Sequence, residues 1–236
     1  MRPLLGRRLP TEEEAAAHAR RLVRAGGAEV HLLGVVSGLA SEEERMAAAF
    51  EEIEPAAVAV GVPDEDLAGL RAILAGELDD QEYEMTDVEE AYGEGLRRFG
   101  EVRLPPAELL WLTRRADERG LPLLAFDLAA DAYVETFTRE VGAVDLLRYN
   151  ARIHKLPSRL AATRTPQAYA LAWDREVCRI GGFRRIEQAR EDAMGARLRA
   201  FAKEHRRLLA VVDLARVPGT AAKLADEGGR AKDSAF

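Results

Sequence analysis

The clearest pattern of hydrophobic and polar residues lies in residues 29–66, and it predicts a strand, a helix and a second strand. The apolar, partly β-branched run 30–36 is typical of a strand that is buried on both faces. Ser41 and Glu44 have the spacing of a capping box, which starts a helix. The apolar run 57–62 then predicts the second strand. Two strands joined by a helical crossover indicate an α/β fold with a parallel or mixed sheet, in which functional sites form beyond the carboxyl ends of the strands.

The rest of the chain continues this alternation of helices and strands. Two further apolar runs, 121–129 and 208–214, predict strands. A helical arm is predicted at about 131–180, where it either covers the sheet or packs against a second subunit. Apolar residues at three- and four-residue intervals predict the other helices, over 11–26, 64–78, 86–99, 104–120, 182–207 and 218–226. We expect residues 1–236 to form a single domain with a mobile polar tail at about 227–236.

Composition narrows the functional classes. The chain is 47% hydrophobic and 32% charged, which is typical of a soluble globular protein, and its net charge of -7 argues against general nucleic-acid binding, which needs a basic face. No apolar run reaches the ~18 residues of a membrane span, so we expect no membrane association. The single cysteine, Cys178, fits a reducing compartment and predicts a cytoplasmic protein. Asparagine occurs once, at position 150, whereas arginine and glutamate are abundant. This composition is found in proteins from hot environments and equally in proteins encoded by GC-rich genomes.

Short motifs stand at the ends of the predicted strands. The first strand ends in Gly-Val-Val-Ser, residues 34–37, and a Glu-Pro pair at 54–55 precedes the second strand. That second strand ends in Gly-Val-Pro-Asp-Glu-Asp, residues 61–66. Nearer the C-terminus, a predicted helix carries Ala-Arg-Glu-Asp-Ala-Met at 189–194, and the last strand continues into Val-Val-Asp-Leu-Ala-Arg-Val-Pro-Gly at 211–219.

The order and spacing of these motifs resemble the TraB/PrgY family, which is related to the Tiki proteases and the erythromycin esterases. In that family the first strand ends in Gly-x-x-His, the second in Glu-Leu-Asp-x-x-Arg, and a late strand in Val-Val-Gly-x-Gly-His. The resemblance spans about residues 28–226 and implies a TraB-like α/β core. It places Ser37 at the first histidine, Gly61 at the glutamate and Arg216 at the second histidine.

The residues at these positions are unsuited to the metal-dependent hydrolysis that the resemblance implies. Serine is a poor metal ligand, glycine has no side chain, and arginine has no lone pair to offer. No two of the four histidines have metal-ligand spacing, so we predict no metal, no cofactor and no catalytic residue. A residual pocket is nevertheless expected at the strand ends, in which the arginines pair with acids. Its expected residues are Ser37, Gly61, Asp127, Arg139, Arg190, Glu191, Asp213 and Arg216.

We therefore predict a catalytically inactive TraB-family homologue that acts as a binding or regulatory protein. It is expected to be a homo-oligomer, with an intact family member as a candidate partner. Two alternatives stay open. One is a metal-independent hydrolase or peptidase that uses an unrecognised set of residues. Ser37 would be its candidate nucleophile, but this serine lacks the glycines two residues before and two after it that a nucleophile elbow needs. The other is a scaffold whose helical arm binds another protein.

Overall fold

The computed structural model describes residues 9–78 and 86–225. Its strands are β1 (Arg20–Ala25), β2 (Ala28–Val35), β3 (Ala57–Val60), β4 (Leu123–Ala125) and β5 (Arg207–Asp213). They form one sheet in the order β1-β2-β5-β3-β4, in which β1 is antiparallel to β2 and the other neighbours are parallel. The predicted α/β fold with a mixed sheet is confirmed.

The helices surround this sheet. They are α1 (Glu12–Ala19), α2 (Glu42–Ile53), α3 (Asp64–Leu74), α4 (Asp87–Leu96), α5 (Ala107–Arg119), α6 (Ala130–Glu140), α7 (Ala143–Ile153), α8 (Leu156–Arg159), α9 (Pro166–Val177), α10 (Gly181–Phe201) and α11 (Val217–Ala225). A 3₁₀ turn, Leu214–Arg216, joins β5 to α11. None of the described helices is long and apolar enough to cross a membrane. The predicted tail at 227–236 lies outside the described residues.

The sheet separates two hydrophobic clusters, and a third cluster lies among the helices beyond its carboxyl edge. Leu32, Ala210 and Met194 belong to the first, on the face that α10 and α11 cover. Val58 and Leu209 belong to the second, on the face that α2 and α5 cover. The parallel strands β2, β3 and β5 are therefore buried on both faces, which explains their nearly continuous apolar runs.

The first predicted helix, 11–26, is wrong over its second half. A capping box of Thr11 and Glu14 starts the helix, but α1 ends at Ala19 and the chain continues as β1. Gly26 and Gly27 have φ values of 59° and 86°, the positive values that both central residues of a tight hairpin turn adopt. The glycine pair therefore closes a hairpin between β1 and β2 instead of ending a helix.

The capping box predicted at Ser41 and Glu44 is also wrong, whereas Thr86 and Glu89 form one at the start of α4. Ser41 has helical backbone angles, φ -66° and ψ -13°, and its side chain makes no capping hydrogen bond. An N-cap residue needs an extended backbone to turn its side chain toward the first amides of the helix. Thr86 has that conformation and exchanges hydrogen bonds with Glu89, as the capping-box geometry requires.

The predicted helical arm consists of α6, α7, α8 and α9. Its second half packs into the third cluster, where Leu156, Leu160 and Tyr169 are buried against α4. Its first half keeps apolar residues at the surface, among them Val144 and Leu147 of α7. The arm therefore covers the carboxyl edge of the sheet through α8 and α9.

Candidate functional site

A cleft with two lobes opens where the parallel strands end. The apolar lobe, of about 590 Å³, has walls from α3 and α5 that include Leu70, Ile73 and Leu109. The aromatic lobe, of about 740 Å³, has walls from α4, α6, α7, α9 and α10. Its rings are Tyr92, Tyr133, Tyr149, Trp173 and Phe183.

The two lobes meet at a polar junction, because several side chains line both of them. Ser37 follows the end of β2, Asp213 ends the central strand β5, and Arg190 approaches from α10. Asp66 of α3 and Glu89 of α4 complete this junction from the opposite side. Parallel strands end at the same edge of a sheet, so the position of the junction follows from the topology.

Arg190 is held by carboxylates on two neighbouring elements. Its Nε donates to both oxygens of Asp127, at 3.2 and 3.1 Å, and its Nη1 donates to Glu187 at 2.9 Å. Burial alone would lower its pKa, but the charges of Glu187 and Asp127 raise that pKa well above the usual range. Arg190 is therefore fixed by acids of the chain itself.

Arg216 is held by acids in the same way and lies deeper. Its side chain is only 6% exposed, its Nη1 donates to Glu191 at 2.9 Å, and its Nη2 donates to Asp174 of α9. Its Nε lies 3.4 Å from Glu187, which thus lies between the two arginines. The expected pairing of both arginines with acids is present in the structure.

Asp213 differs from the other acids of this network, because its carboxylate faces the cleft. Its Oδ2 lies 3.9 Å from Arg190 Nη2, beyond hydrogen-bond distance, and the side chain remains 47% exposed. Asp213 lines both lobes of the cleft. Enclosure raises the pKa of Asp213; the positive charge of Arg190 opposes the rise, and the charges of Glu187 and Asp127 add to it.

A second acid, Glu108 of α5, lies fully buried behind Ser37. Its Oε1 accepts a hydrogen bond from the Gly38 amide at 3.3 Å, and its Oε2 has no partner among the described residues. Burial raises the pKa of Glu108 to about 7, and the nearby Ser37 hydroxyl and Gly38 amide oppose that rise. The carboxyl group therefore changes its protonation state near neutral pH.

The structure places most of the predicted pocket residues at this edge of the sheet. Ser37, Gly61, Asp127, Arg190 and Asp213 line the apolar lobe, and Arg216 lines the aromatic lobe. Glu191 contacts Arg216 but does not line either lobe.

The predicted position of Arg139 is wrong. Its side chain is largely exposed and pairs with Glu140 at 2.9 Å, outside both lobes. Residue 139 lies in the last turn of α6, nine residues after the helix start, and a helix rises ~1.5 Å per residue. The start of α6, close to Asp127, therefore lies ~13 Å from this arginine along the axis.

A side chain at Gly61 would be crowded against β5. A Cβ atom at this position would lie 3.0 Å from Val212 Cγ2 and 3.1 Å from the Val211 carbonyl oxygen. Residue 61 directly follows β3 and donates its amide hydrogen to Val211 of β5, so the two backbones approach closely here. A glutamate at this position, where the resemblance expects one, would require Val211 and Val212 to shift.

Several residues of the cleft escaped the sequence prediction. Glu187 has one usable signal, because it stands three residues before Arg190 on the same helix face. Asp174 has none, since α9 meets Arg216 only through the tertiary packing. Among residues 9–78 and 86–225, no group of three or more histidine, cysteine or acidic side chains is arranged to hold a metal ion.

No protein-family model matches this sequence, and no curated protein matches it significantly. The resemblance to the TraB/PrgY family therefore remains a prediction from the motifs.

Proposed function

We propose that this protein binds a small organic molecule in the strand-end cleft and acts through that binding, as a catalytically inactive relative of the TraB/PrgY family. The observation that carries the proposal is the cleft itself, two lobes of about 590 and 740 Å³ that meet at one polar junction. Cavities of this size that combine apolar walls with converging polar groups are typical of small-molecule sites.

Binding is favoured over metal-dependent hydrolysis by the chemistry of the junction. Its residues are Ser37, Asp213, Arg190, Asp66 and Glu89, and none of these is a strong transition-metal ligand such as histidine or cysteine. Arg190 and Arg216 already pair with acids, so neither is available to polarise a substrate carbonyl. A cavity lined by apolar and polar side chains remains, which suits recognition of a ligand.

The two tryptophans of the chain allow a direct test. Trp173 lines the aromatic lobe, whereas Trp111 packs against Phe50 outside the cleft. With 5-fluorotryptophan in the protein, a set of cationic, neutral and anionic fragments is screened by fluorine NMR. We expect some fragments to shift the Trp173 resonance and to leave the Trp111 resonance in place. A set in which no fragment moves Trp173 selectively would overturn the proposal.

The apolar lobe is tested by filling it. Gly69 of α3 lines this lobe, and a Cβ atom there would have no neighbour within 4 Å, so a side chain can begin at this position and Gly69→Phe adds bulk to the lobe. Ala68→Phe, one residue earlier on the exposed side of the helix, is the matched control. Fragments that bind in this lobe should lose affinity in Gly69→Phe and keep it in Ala68→Phe.

A serine hydrolase is the second candidate, and one observation favours it. Ser37 lines both lobes, and its hydroxyl lies close enough to the buried Glu108 carboxyl to influence the pKa of that acid. A carboxylate whose pKa is near neutral suits a general base. Labelling with a fluorophosphonate probe separates the two functions: modification of Ser37 that Ser37→Ala and Glu108→Gln both abolish would replace the binding proposal with hydrolysis.

A further inference from the structure

The ion-pair network at the junction is not neutral. Arg190 and Arg216 have five carboxylates within 4 Å, two positive charges against five negative ones, so three negative charges are in excess when all groups are ionised. Asp66 adds a further acid across the junction. Charges of one sign at the base of an enclosed cleft attract a ligand of the opposite charge.

Asp213 is the acid that is free to receive such a ligand. Among the described residues none donates a hydrogen bond to its carboxylate, whereas Arg190 directs its own hydrogen bonds to Asp127 and Glu187. The carboxylate stands where the two lobes meet, at the end of the central strand. A charged donor placed in the cleft would therefore complete its hydrogen bonding.

The aromatic lobe is a second, independent feature that suits a cation. Trp173 and Tyr92 meet edge to face with their centroids 5.2 Å apart, and Tyr149 and Phe183 stack at 4.3 Å. In the described part of the chain, the arginines that lie over aromatic rings contact Phe50, Phe99 and Tyr169, which are not rings of this lobe. Aromatic faces attract ammonium groups and pack well against apolar substituents.

From this combination we propose that the ligand is an organic cation: an amine that carries an aromatic or alkyl group, with its ammonium at Asp213 and its apolar part in the aromatic lobe. The proposal rests on the proposed binding function of the cleft. An anion is disfavoured because both arginines are already paired with acids. A metal ion is disfavoured because the acids of the described residues are not grouped as metal ligands.

Three probes of the same shape and different charge test the proposal: 4-phenylbutylamine, 4-phenylbutan-1-ol and 4-phenylbutyrate. Their affinities are measured at pH 7.5 by the shift of the fluorine resonance of Trp173, with that of Trp111 as internal reference. We expect the amine to bind wild-type protein at least tenfold more tightly than the alcohol, and the carboxylate to bind most weakly.

Asp213→Asn should remove this preference. The variant keeps the shape of the side chain and loses its charge, so amine affinity should fall at least tenfold, to that of the alcohol, while alcohol affinity stays unchanged. Asp131→Asn removes one negative charge from an exposed position outside the cleft and should change neither affinity. Circular dichroism and melting temperature establish that both variants are folded.

The remaining outcomes are equally decisive. Binding of the alcohol or the carboxylate as tightly as the amine would overturn the cationic ligand and leave the binding function of the cleft intact. If none of the three probes binds and no fragment of the larger set shifts the Trp173 resonance selectively, both the cationic ligand and the binding function of the cleft are overturned. If only Mg²⁺ or Mn²⁺ stabilises the wild-type protein, and Asp213→Asn abolishes that stabilisation, the ligand is a metal ion and the organic cation is overturned.

Discussion

Replacing Glu108 with glutamine should stabilise the protein at pH 8 and have little effect at pH 5. Glu108 is fully buried, and only its Oε1 accepts a hydrogen bond from a described residue. An ionised carboxylate in this position is poorly solvated, which is why burial raises the pKa of Glu108 to about 7. Glutamine has the shape of the protonated acid, can accept the same bond from Gly38, and never becomes charged.

The size of the effect follows from the difference between the folded and unfolded pKa values. The pKa of Glu108 rises from an ordinary value of 4.5 to about 7 on folding, so the folded state binds this proton more tightly. The contribution of this proton to stability is fully present below the pKa of Glu108 in the unfolded state. It is lost as the pH rises through the pKa of Glu108 in the folded state. With ~1.4 kcal/mol for each pH unit between the two values, wild-type protein should lose about 2 to 3 kcal/mol between pH 5 and pH 8. The variant should not lose this contribution.

Urea unfolding of wild-type protein and variant at pH 5, 6, 7 and 8 measures this difference directly. Other groups also titrate in this range, so the quantity to follow is the difference between the two proteins at each pH. Glu118→Gln serves as the control, because Glu118 lies on the exposed side of the same helix and its removal should give no such pH dependence. A difference between wild type and Glu108→Gln that stays constant from pH 5 to pH 8 would show that folding does not raise the pKa of Glu108.

Three further substitutions probe the cleft. Arg216→Ala leaves buried acids without their charged partner and should lower the free energy of unfolding by ~3 kcal/mol or more. Arg71→Ala, which removes one partner of an exposed pair, should lower it by ~1 kcal/mol or less. Equal losses in urea unfolding would contradict the buried network. Gly61→Ala forces a Cβ against β5 and should cost ~1 to 3 kcal/mol, while Gly69→Ala, in open space on a helix, should be neutral or stabilising; equal stabilities would show that residue 61 has room. Asp213→Asn should raise the melting temperature at pH 7, and this gain should disappear as the pH falls through the raised pKa of Asp213 toward its ordinary value, because folding raises the pKa of this acid and its charge opposes folding. A lowered melting temperature would show that Arg190 compensates this charge fully.

Local sequence signals were sufficient for most of the secondary structure. The apolar runs at 57–62 and 208–214 mark β3 and β5 to within two residues, because strands buried on both faces need continuous apolar side chains. The hairpin was missed because Gly26-Gly27 ends a helix as readily as it closes a turn. Which role applies depends on whether β2 is available to pair with residues 20–25, and that is a contact between segments.

Local sequence patterns suffice to place strand ends at Ser37, Gly61, Asp127 and Asp213, and therefore to predict that these residues share one edge of a sheet. The order of the strands depends on contacts between distant segments: β5 lies between β2 and β3, which brings Asp213 to the centre of the cleft. Periodicity reports how each residue is placed within its own element, so it can identify strand ends and buried faces. It carries no information on which element packs against another.

The chemistry of the cleft was therefore decided in three dimensions. Asp174 and Arg216 are 42 residues apart, and Glu108 lies 70 residues from Gly38, whose amide it binds. Side chains so distant in sequence meet only because the sheet and its helices fix where each chain segment passes. The sequence supplied the charged groups, and the fold determined that acids outnumber arginines at one aromatic-lined cavity.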